Sequence, residues 1–483
     1  MQKLSSTRKL LYSMGGLTMN ITNLVISQWL YKFYVTDRHI PEPGWEIFGW
    51  TITAGILFGS FIFLGRITDA ITDPLVAYWS DNTRSRFGRR IPYILYGIIP
   101  FAVVFALLWA PPVDGPSWAN VITSFVLVQA YFVLYTIVVT PYLALLPEIT
   151  PDQKTRVNVS TLQALFTMFG TILFAALGPL IAAFGYTATG IIVTIIAALF
   201  LMPTLFAIRE QQRQEAGGKK ITLRQWIVMT LRNRPFAYLI GATSLFWYAL
   251  NMLIIFVPVW NQKVLGLGED AVALIMGPFI ILNIIFFIIF NLIAKRFGKY
   301  FAFLLTLLGS AITIPMIGLV GVDAFWGDFS AHVYSIDFMA SILPDYNPWV
   351  VQTMVMVCLV AMPIAGFLML PFAILADIVD YDEKQTGKRR EAIFFGVQAI
   401  FQKSMIGVSA LMLGLLDVTP NELTDFQDAM GGLKIAIYTA GAACFVGFLI
   451  FLGYPIRDTG GQIRLVPNRF DNFLRDKIFR QSE

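Results

Sequence analysis

Long apolar runs, each close to twenty residues or longer, recur along the whole chain and alternate with short polar segments. A helix needs about 20 apolar residues to cross a bilayer, and soluble domains rarely hold many such runs. The pattern therefore predicts an all-α membrane protein. We expect twelve transmembrane helices, near residues 10–35, 46–80, 91–110, 118–147, 158–184, 186–208, 236–262, 268–293, 301–322, 349–380, 393–416 and 433–455.

The polar segments divide these helices into two sets of six. We expect an N-terminal six-helix bundle (1–208), a cytoplasmic central loop (209–235), a C-terminal six-helix bundle (236–456) and a cytoplasmic tail (457–483). PYLALLPE at 141–148 has a counterpart, PFAILAD, at 371–377, at equivalent places in the two halves. Together with the layout, this indicates two parallel repeats, the arrangement of the major facilitator fold.

The distribution of basic residues predicts the orientation in the membrane. Of 35 Lys and Arg, 29 lie in the N-terminus, in the tail and in the alternate loops 81–90, 148–157, 209–235, 294–300 and 381–392. Cytoplasmic loops of membrane proteins carry such an excess of positive charge. We therefore expect both termini to be cytoplasmic.

Composition excludes most other classes of protein. The chain is 57% hydrophobic and only 13% charged, about half the charge of a soluble domain. Cys358 and Cys444 lie within apolar runs. His39 and His332 lie in the segments that separate the apolar runs. We find no motif for catalysis, cofactors or nucleic-acid binding, and we expect no enzyme activity. The first apolar run is too long for a signal peptide. The short loops favour a bacterial inner membrane.

One predicted helix carries a charged stripe. In RITDAITDP, Arg66, Asp69 and Asp73 follow helical spacing and share a face, with Thr72 beside it. A charge in mid-membrane costs about 2.5–3.5 kcal/mol on insertion scales, so this face must meet protein or water. Hard oxygen ligands within one turn suit a small alkali cation or a proton. The alternative is a static ion-pair network that holds the helices together.

A lysine in the eleventh predicted helix completes the charge count. Arg66 and Lys403 together balance Asp69 and Asp73. A bound cation would leave one positive charge, which an anionic or hydrogen-bonding solute could offset. On this hypothesis, Lys403→Ala disturbs cation affinity as well as solute binding.

These residues resemble the glycoside–pentoside–hexuronide:cation symporter family. The resemblance rests on RITDAITDP at 66–74, DNTRSRFGRRIP at 81–92 and DYDEKQTGKRREA at 380–392, which leads into VQAIFQK at 397–403. It implies a cation site between the second and fourth helices, formed by Asp69, Thr72, Asp73 and Thr136, with the two aspartates as the metal-binding carboxylates. Sodium-using members often have Asn where this chain has Thr72, so the resemblance leaves sodium or proton as the coupling ion.

The basic loop after the stripe resembles the gating motif of the major facilitator superfamily. The resemblance implies that Asp81, Arg86, Arg89 and Arg90 latch the cytoplasmic gate, with Gly88 permitting a tight turn. The plainer interpretation is that these arginines only anchor the loop on the cytoplasmic side.

The solute side departs from the family. Positions that carry carboxylates and a stacking aromatic ring in galactoside transporters correspond here to Asn20, Val139 and Leu143. A lysine without those carboxylates favours a glycoside or uronide, since an anionic solute fits the charge balance. The candidate substrate-binding residues are Asn20, Asn23, Arg66, Tyr135, Gln163, Trp247, Gln398 and Lys403.

The sequence therefore predicts a cation-coupled symporter of a sugar, glycoside or uronide that works by alternating access, as a monomer in the lipid bilayer. Two alternatives remain open. One is a symporter of lysophospholipids or other amphiphiles, because relatives of that kind keep the cation aspartate and the basic residue of the eleventh helix. The other is a non-transporting membrane receptor. The segment 323–348 could form an interfacial helix or an outer lid.

Overall fold

The computed structural model of the chain is helical. The structure describes residues 5–37, 39–47, 50–149, 153–207, 230, 232–335, 347–386, 391–416, 426–459 and 462–465. The helices are α1 (Ser6–Ser13), α2 (Gly15–Tyr31), α3 (Ala54–Asn82), α4 (Ile91–Leu107), α5 (Trp118–Ile149), α6 (Gln153–Ala175), α7 (Leu177–Leu201), α8 (Pro203–Ala207), α9 (Arg234–Lys263), α10 (Asp270–Phe297), α11 (Lys299–Met316), α12 (Asp323–Trp326), α13 (Phe329–Tyr334), α14 (Pro348–Thr386), α15 (Glu391–Leu416) and α16 (Phe426–Leu452).

Ten helices in the described part of the chain are long and apolar enough to cross a membrane. Helix α4 is apolar but shorter. Helix α2 has 17 residues and continues directly into a π-helical turn, Lys32–Thr36. These lengths and compositions are those of a multi-pass membrane protein.

The second predicted span begins later than expected. The sequence predicts a helix from residue 46, but β1 (Trp45–Ile47) and β2 (Trp50–Ile52) form an antiparallel hairpin first. Helix α3 then starts at Ala54, because the Thr53 side chain accepts the backbone N–H of Ile56 and caps the first turn. The apolar run continues through both elements, so hydropathy alone does not separate them.

The boundary predicted at residue 185 is a break in the chain direction. Within Leu177–Leu201, Gly185 has a φ of 77°, a left-handed conformation that favours glycine.

The loop at 323–348 contains two short helices, α12 and α13, while residues 336–346 lie outside the described part. Of the predicted central loop, the structure describes residues 230 and 232–235. The tail has a second hairpin, β3 (Ile456–Thr459) with β4 (Gln462–Leu465).

The chain forms two compact units that do not follow the predicted halves. Unit one is Met1–Lys219, Ile254–Ala273 and Ala410–Ala429; unit two is Lys220–Leu253, Leu274–Ser409 and Met430–Glu483. In unit one, α3 packs along α5, and α2 packs along α6. In unit two, α11 packs along α14. The division into two bundles of six stays a prediction.

Candidate functional site

The charged stripe of α3 faces the interior of unit one. Arg66 is 2% exposed and Asp69 is 0% exposed, while Asp73, one turn further on, is half-buried. Helix α5 lies along this face. The stripe therefore escapes the cost of facing lipid, as its spacing predicts.

Each aspartate of the stripe is hydrogen-bonded to a threonine of α5. The hydroxyl of Thr136 donates to Asp69 Oδ1 at 2.5 Å, and the hydroxyl of Thr140 donates to Asp73 Oδ1 at 2.7 Å. Both pairs of residues are spaced i, i+4, so the two bonds repeat at the pitch of the helices. We call Asp69, Asp73, Thr136 and Thr140 the threonine–aspartate ladder.

Thr72 lies beside the first rung of the ladder. Its hydroxyl is 3.2 Å from Thr136 Oγ1 and 2.9 Å from the carbonyl of Thr68 in its own helix. The structure thus brings Asp69, Thr72 and Thr136 together, and it places Asp73, the fourth residue that the resemblance assigned to cation binding, one turn further along α3. It adds Thr140, which sequence reasoning missed. The signal was the i, i+4 repeat of Thr136 and Thr140, which matches that of the aspartates.

Arg66 connects the stripe to α2. Its Nη2 donates to Asn23 Oδ1 at 2.9 Å and to Ser27 Oγ at 3.0 Å, and its guanidinium lies 4.9 Å from the ring centre of Phe132. Asn23 was predicted as a site residue, whereas Ser27 was missed. Its spacing from Asn23 by four residues was the available signal.

Three other predicted substrate residues join helices to one another. Asn20 Nδ2 donates to the Thr167 carbonyl at 2.5 Å and to Thr171 Oγ1 at 2.8 Å, which fastens α2 to α6. Gln163 Nε2 lies 3.3 Å from the hydroxyl of Tyr142. The Tyr135 hydroxyl donates to the backbone of α2, to the carbonyl of Met19 at 3.5 Å. The described contacts of these three are therefore structural.

The remaining predicted substrate residues belong to unit two. The Trp247 ring packs edge-on against Phe367 with ring centres 5.1 Å apart. Gln398 and Lys403 both lie on α15, where Gln398 is 5% exposed and Lys403 is half-buried. Among the described residues, no donor reaches Gln398 Oε1.

The predicted gating loop forms a tight turn. Gly88 has a φ of 109°, and its N–H donates to the Ser85 carbonyl at 3.1 Å. The Arg86 guanidinium lies 4.7 Å from the ring centre of Phe87. Arg90 is buried and donates to the carbonyl of Ala144 in α5. This joins the turn to the end of α5.

The structure describes fewer contacts for the other two predicted gating residues, Arg89 and Asp81. Arg89 is half-buried in the same turn, and the side chain of Asp81 lies outside the described part of the structure.

Unit two contains a second turn of the same kind, which sequence reasoning missed. Gly298 has a φ of 88°, and Arg296 lies 5.4 Å from the ring centre of Phe297. Lys299 Nζ then binds Asp377 at 2.7 Å, within the repeated PFAILAD segment. The available signal was R-F-G followed by Arg or Lys, at 86–89 and again at 296–299.

A charged cluster in unit one was also missed. Lys32, at the start of the π-helical turn, is 2% exposed. Its Nζ lies 2.7 Å from Glu269 Oε1, 3.1 Å from Asp37 Oδ1 and 2.9 Å from the Tyr186 hydroxyl. We call these four residues the Lys32 cluster. Its signal was a lysine outside the basic loops.

Glu269 directly precedes α10. Burial alone raises the pKa of its carboxyl, but hydrogen bonding to Lys32 and the charge of Lys32 outweigh burial and lower that pKa.

Small residues bring α3 and α15 into close contact within unit one. A Cβ on Gly59 would lie 2.7 Å from the Ala410 carbonyl oxygen, and a Cβ on Gly414 would collide with the Gly55 carbonyl. We call Gly55, Gly59, Ala410 and Gly414 the glycine seam. The seam and the Lys32 cluster each join the first half of the sequence to a segment of the second half.

Known proteins resemble the chain along nearly its whole length. Residues 11–458 match the family described as MFS/sugar transport protein. The isoprimeverose transporter of Lactiplantibacillus pentosus is 25% identical over 426 residues, which cover 84% of this chain and 78% of that relative. The sodium-dependent lysophosphatidylcholine symporter 1-B of Danio rerio is 26% identical over 504 residues, which cover 94% and 88%.

A solved structure shows the same fold. The D-xylose-proton symporter superposes with a TM-score of 0.63 at 16% sequence identity, over 94% of this chain and 99% of that one. The fold and the membrane-length helices define a multi-pass membrane transporter of the major facilitator type. The chain belongs to the MFS/sugar transport protein family. Its relatives are transporters and not enzymes, and the predicted family resemblance is confirmed.

Proposed function

We propose that the protein is a cation-coupled secondary symporter of a sugar, glycoside or uronide that works by alternating access. The observation that carries this proposal is the threonine–aspartate ladder between α3 and α5. The proposal requires that the ladder binds the coupling cation and that the solute binds beside it.

The charge of the stripe supports a cation. Asp69 and Asp73 carry two negative charges, and Arg66 on the same face carries one positive charge. Within this stripe, counted without Lys403, one monovalent cation restores neutrality. Every donor atom in the ladder and in Thr72 is oxygen, the ligand type that alkali cations prefer. The same carboxylates could carry a proton, so the coupling ion is Na⁺ or H⁺, and no prosthetic group is required.

The solute side is supported by a buried polar atom beside the ladder. In the described part of unit one, no acceptor reaches Arg66 Nε. Buried polar atoms normally find partners. A hydroxyl-rich or carboxylate-bearing solute offers both acceptors and donors. The relative named as an isoprimeverose transporter supports a sugar or glycoside.

Twelve spans with both termini in the cytoplasm complete the proposed topology. Helices α2 and α4 would add two spans to the ten of membrane length. The positive-inside rule places the turn at Gly88 in the cytoplasm and the Lys32 cluster outside. The bacterial relative points to the inner or plasma membrane. We propose that the protein acts as a monomer.

The available driving force is sufficient for accumulation. One monovalent cation that crosses 100 mV contributes about 2.3 kcal/mol. A tenfold cation gradient adds about 1.4 kcal/mol. Together they support accumulation of a neutral solute by roughly several hundred-fold.

A symporter of lysophospholipids is the second candidate. The relative from Danio rerio that carries this name aligns with 94% of the chain. Val139 and Leu143 occupy positions on α5 that the sugar-binding resemblance would fill with a carboxylate and an aromatic ring. Apolar side chains at these two positions suit contact with an acyl chain.

The experiment is thermal unfolding of the purified full-length protein with and without Na⁺, across a panel of glycosides, uronides and lysolipids. A ligand that binds only the folded state raises its apparent stability. We expect a glycoside or uronide to stabilise more with Na⁺ than without. Asp73→Asn should abolish the Na⁺ effect, while Asp323→Asn, an exposed aspartate of α12, should leave it unchanged.

The outcomes separate the candidates. Stabilisation by lysolipid but by no glycoside or uronide would replace the sugar with an amphiphile. A response to Na⁺ that survives Asp73→Asn would remove the ladder from the cation site. A response to pH but to no alkali cation would make the proton the coupling ion.

A further inference from the structure

The second rung of the ladder differs from the first in its exposure. Asp69 and Thr136 are both 0% exposed, whereas Asp73 is half-buried. The side chain of Asp73 is therefore the less buried of the two. A half-exposed side chain keeps more rotamer freedom than a buried one, so it needs a fixed partner to hold a defined position. Thr140 is that partner, at 2.7 Å.

The backbone at this rung is weakened on both helices. Pro74 follows Asp73 in α3, and Pro141 follows Thr140 in α5. Proline has no N–H, so the carbonyls four residues earlier, at Ala70 and Ile137, lose their helical donor. Fewer backbone hydrogen bonds therefore hold the two helices at this position. The hydrogen bond between Thr140 and Asp73 contributes more to their local arrangement than it would in uninterrupted helices.

A hydroxyl can hold a carboxylate and ligate a cation at the same time. It has one proton to donate and two lone pairs to offer. Thr140 gives its proton to Asp73, so its lone pairs stay available to a cation. Thr136 does the same for Asp69. Valine has almost the same shape as threonine and can do neither.

We propose that Thr140 is a positioning residue of the cation site that fixes Asp73 as a ligand and sets the preference among alkali cations. This rests on the proposed function, because it requires that Asp73 binds the coupling cation. The occupant is a small monovalent cation, Na⁺ or Li⁺. A carboxylate held in a fixed position favours one ion radius over another.

The test compares variants of the full-length protein in titrations with NaCl and LiCl, at constant ionic strength, followed by thermal unfolding. Thr140→Val should raise the half-saturating Na⁺ concentration by about tenfold, since a bond to a charged group is lost. It should also change the ratio of Na⁺ to Li⁺ affinity. Thr140→Ser, which keeps the hydroxyl, should stay within about threefold of the parent protein.

The matched control is Thr194→Val in α7. The hydroxyl of Thr194 bonds to the Gly190 carbonyl of its own helix at 2.7 Å, away from the ladder. This variant removes the same atoms from a membrane helix and should titrate like the parent protein. If Thr140→Val fails to fold, Thr140→Cys serves instead, because a thiol has similar size but donates weakly and ligates hard cations poorly.

Two negative results have different meanings. Parent-like affinity and an unchanged Na⁺/Li⁺ ratio in Thr140→Val, with Asp73→Asn inactive, would overturn the role of Thr140 and leave the cation site standing. The absence of any Na⁺ or Li⁺ response in the parent protein would overturn alkali coupling and this assignment together. Loss of affinity in Thr140→Ser equal to that in Thr140→Val would reduce Thr140 to a packing residue.

Discussion

Lys32 Nζ lies 2.7 Å from Glu269 Oε1, although 237 residues separate them in the sequence. One residue ends the first apolar run, and the other precedes α10 in the second half of the chain. Lys32 is 2% exposed, and burying a charged side chain is costly unless an opposite charge lies close to it. Within unit one, this pair fastens a segment of the second half to the first half.

Lys32→Met should destabilise the protein. The substitution leaves the carboxylates of Asp37 and Glu269 close together without their cation. Removing one partner of a fully buried pair costs about 3–5 kcal/mol, and these carboxylates are partly exposed, so we expect about 2 kcal/mol. The measurement is the thermal unfolding midpoint. Lys295→Met, at an exposed lysine, is the control and should shift it little.

Lys299→Met tests an ion pair with the same nitrogen–oxygen distance but greater exposure. Lys299 also lies 2.7 Å from a carboxylate, that of Asp377, but it is 32% exposed. Exposed ion pairs contribute about 0.2–1 kcal/mol. The unfolding midpoint should therefore fall less than in Lys32→Met. Equal shifts in the two variants would show that burial does not decide the strength of these pairs.

The Lys32 cluster should be insensitive to pH near neutrality. Because folding lowers the pKa of Glu269, its stabilising effect is present above the ordinary value of 4.5 and is lost as pH falls through the lowered value. The difference in unfolding midpoint between the parent protein and Glu269→Gln should stay constant around neutral pH. It should shrink only in acid. A difference that vanishes near neutral pH would contradict this sign.

Arg66→Met should be strongly destabilising, and Asp69→Asn should partly rescue it. Arg66 and Asp69 are both buried, one turn apart on α3. Loss of a buried arginine leaves a buried carboxylate uncompensated, at about 3–5 kcal/mol. Neutralising Asp69 removes that penalty. A double-mutant cycle of unfolding free energies measures the coupling, and strictly additive effects would show that the two charges do not interact.

The apolar runs were sufficient to predict much of the helical fold, whereas the orientation that the loop charges indicate stays a prediction. Each predicted span has a helix, and the break at Gly185 falls where hydropathy divides the fifth and sixth spans. The hairpin before Ala54 was not predicted, because its residues are as apolar as the helix that follows. The hydropathy pattern of the sequence indicates which segments are buried and the period of their apolar residues. It cannot separate a strand from a helix when both are apolar and one follows the other directly.

Residue spacing predicts the site only as far as one helix determines it, while the family resemblance also supplied Thr136 on α5. The face shared by Arg66, Asp69 and Asp73 follows from their spacing alone. The partner of Asp73 does not, because it depends on how α3 and α5 align along their length. Thr140 lies 67 residues away. Glu269 lies still further from Lys32, so both partners required the three-dimensional structure.

In the proposed alternating-access cycle, a single methyl group in the glycine seam would shift the balance between conformations. Any state in which α3 and α15 separate must first break the backbone contact between Gly55 and Gly414. A methyl group at residue 414 would burden only the state in which that contact exists. A penalty of about 1.4 kcal/mol confined to one state changes the ratio of two populations tenfold. In that proposed cycle, residues that bind no cation and no solute would help to set the equilibrium between conformations.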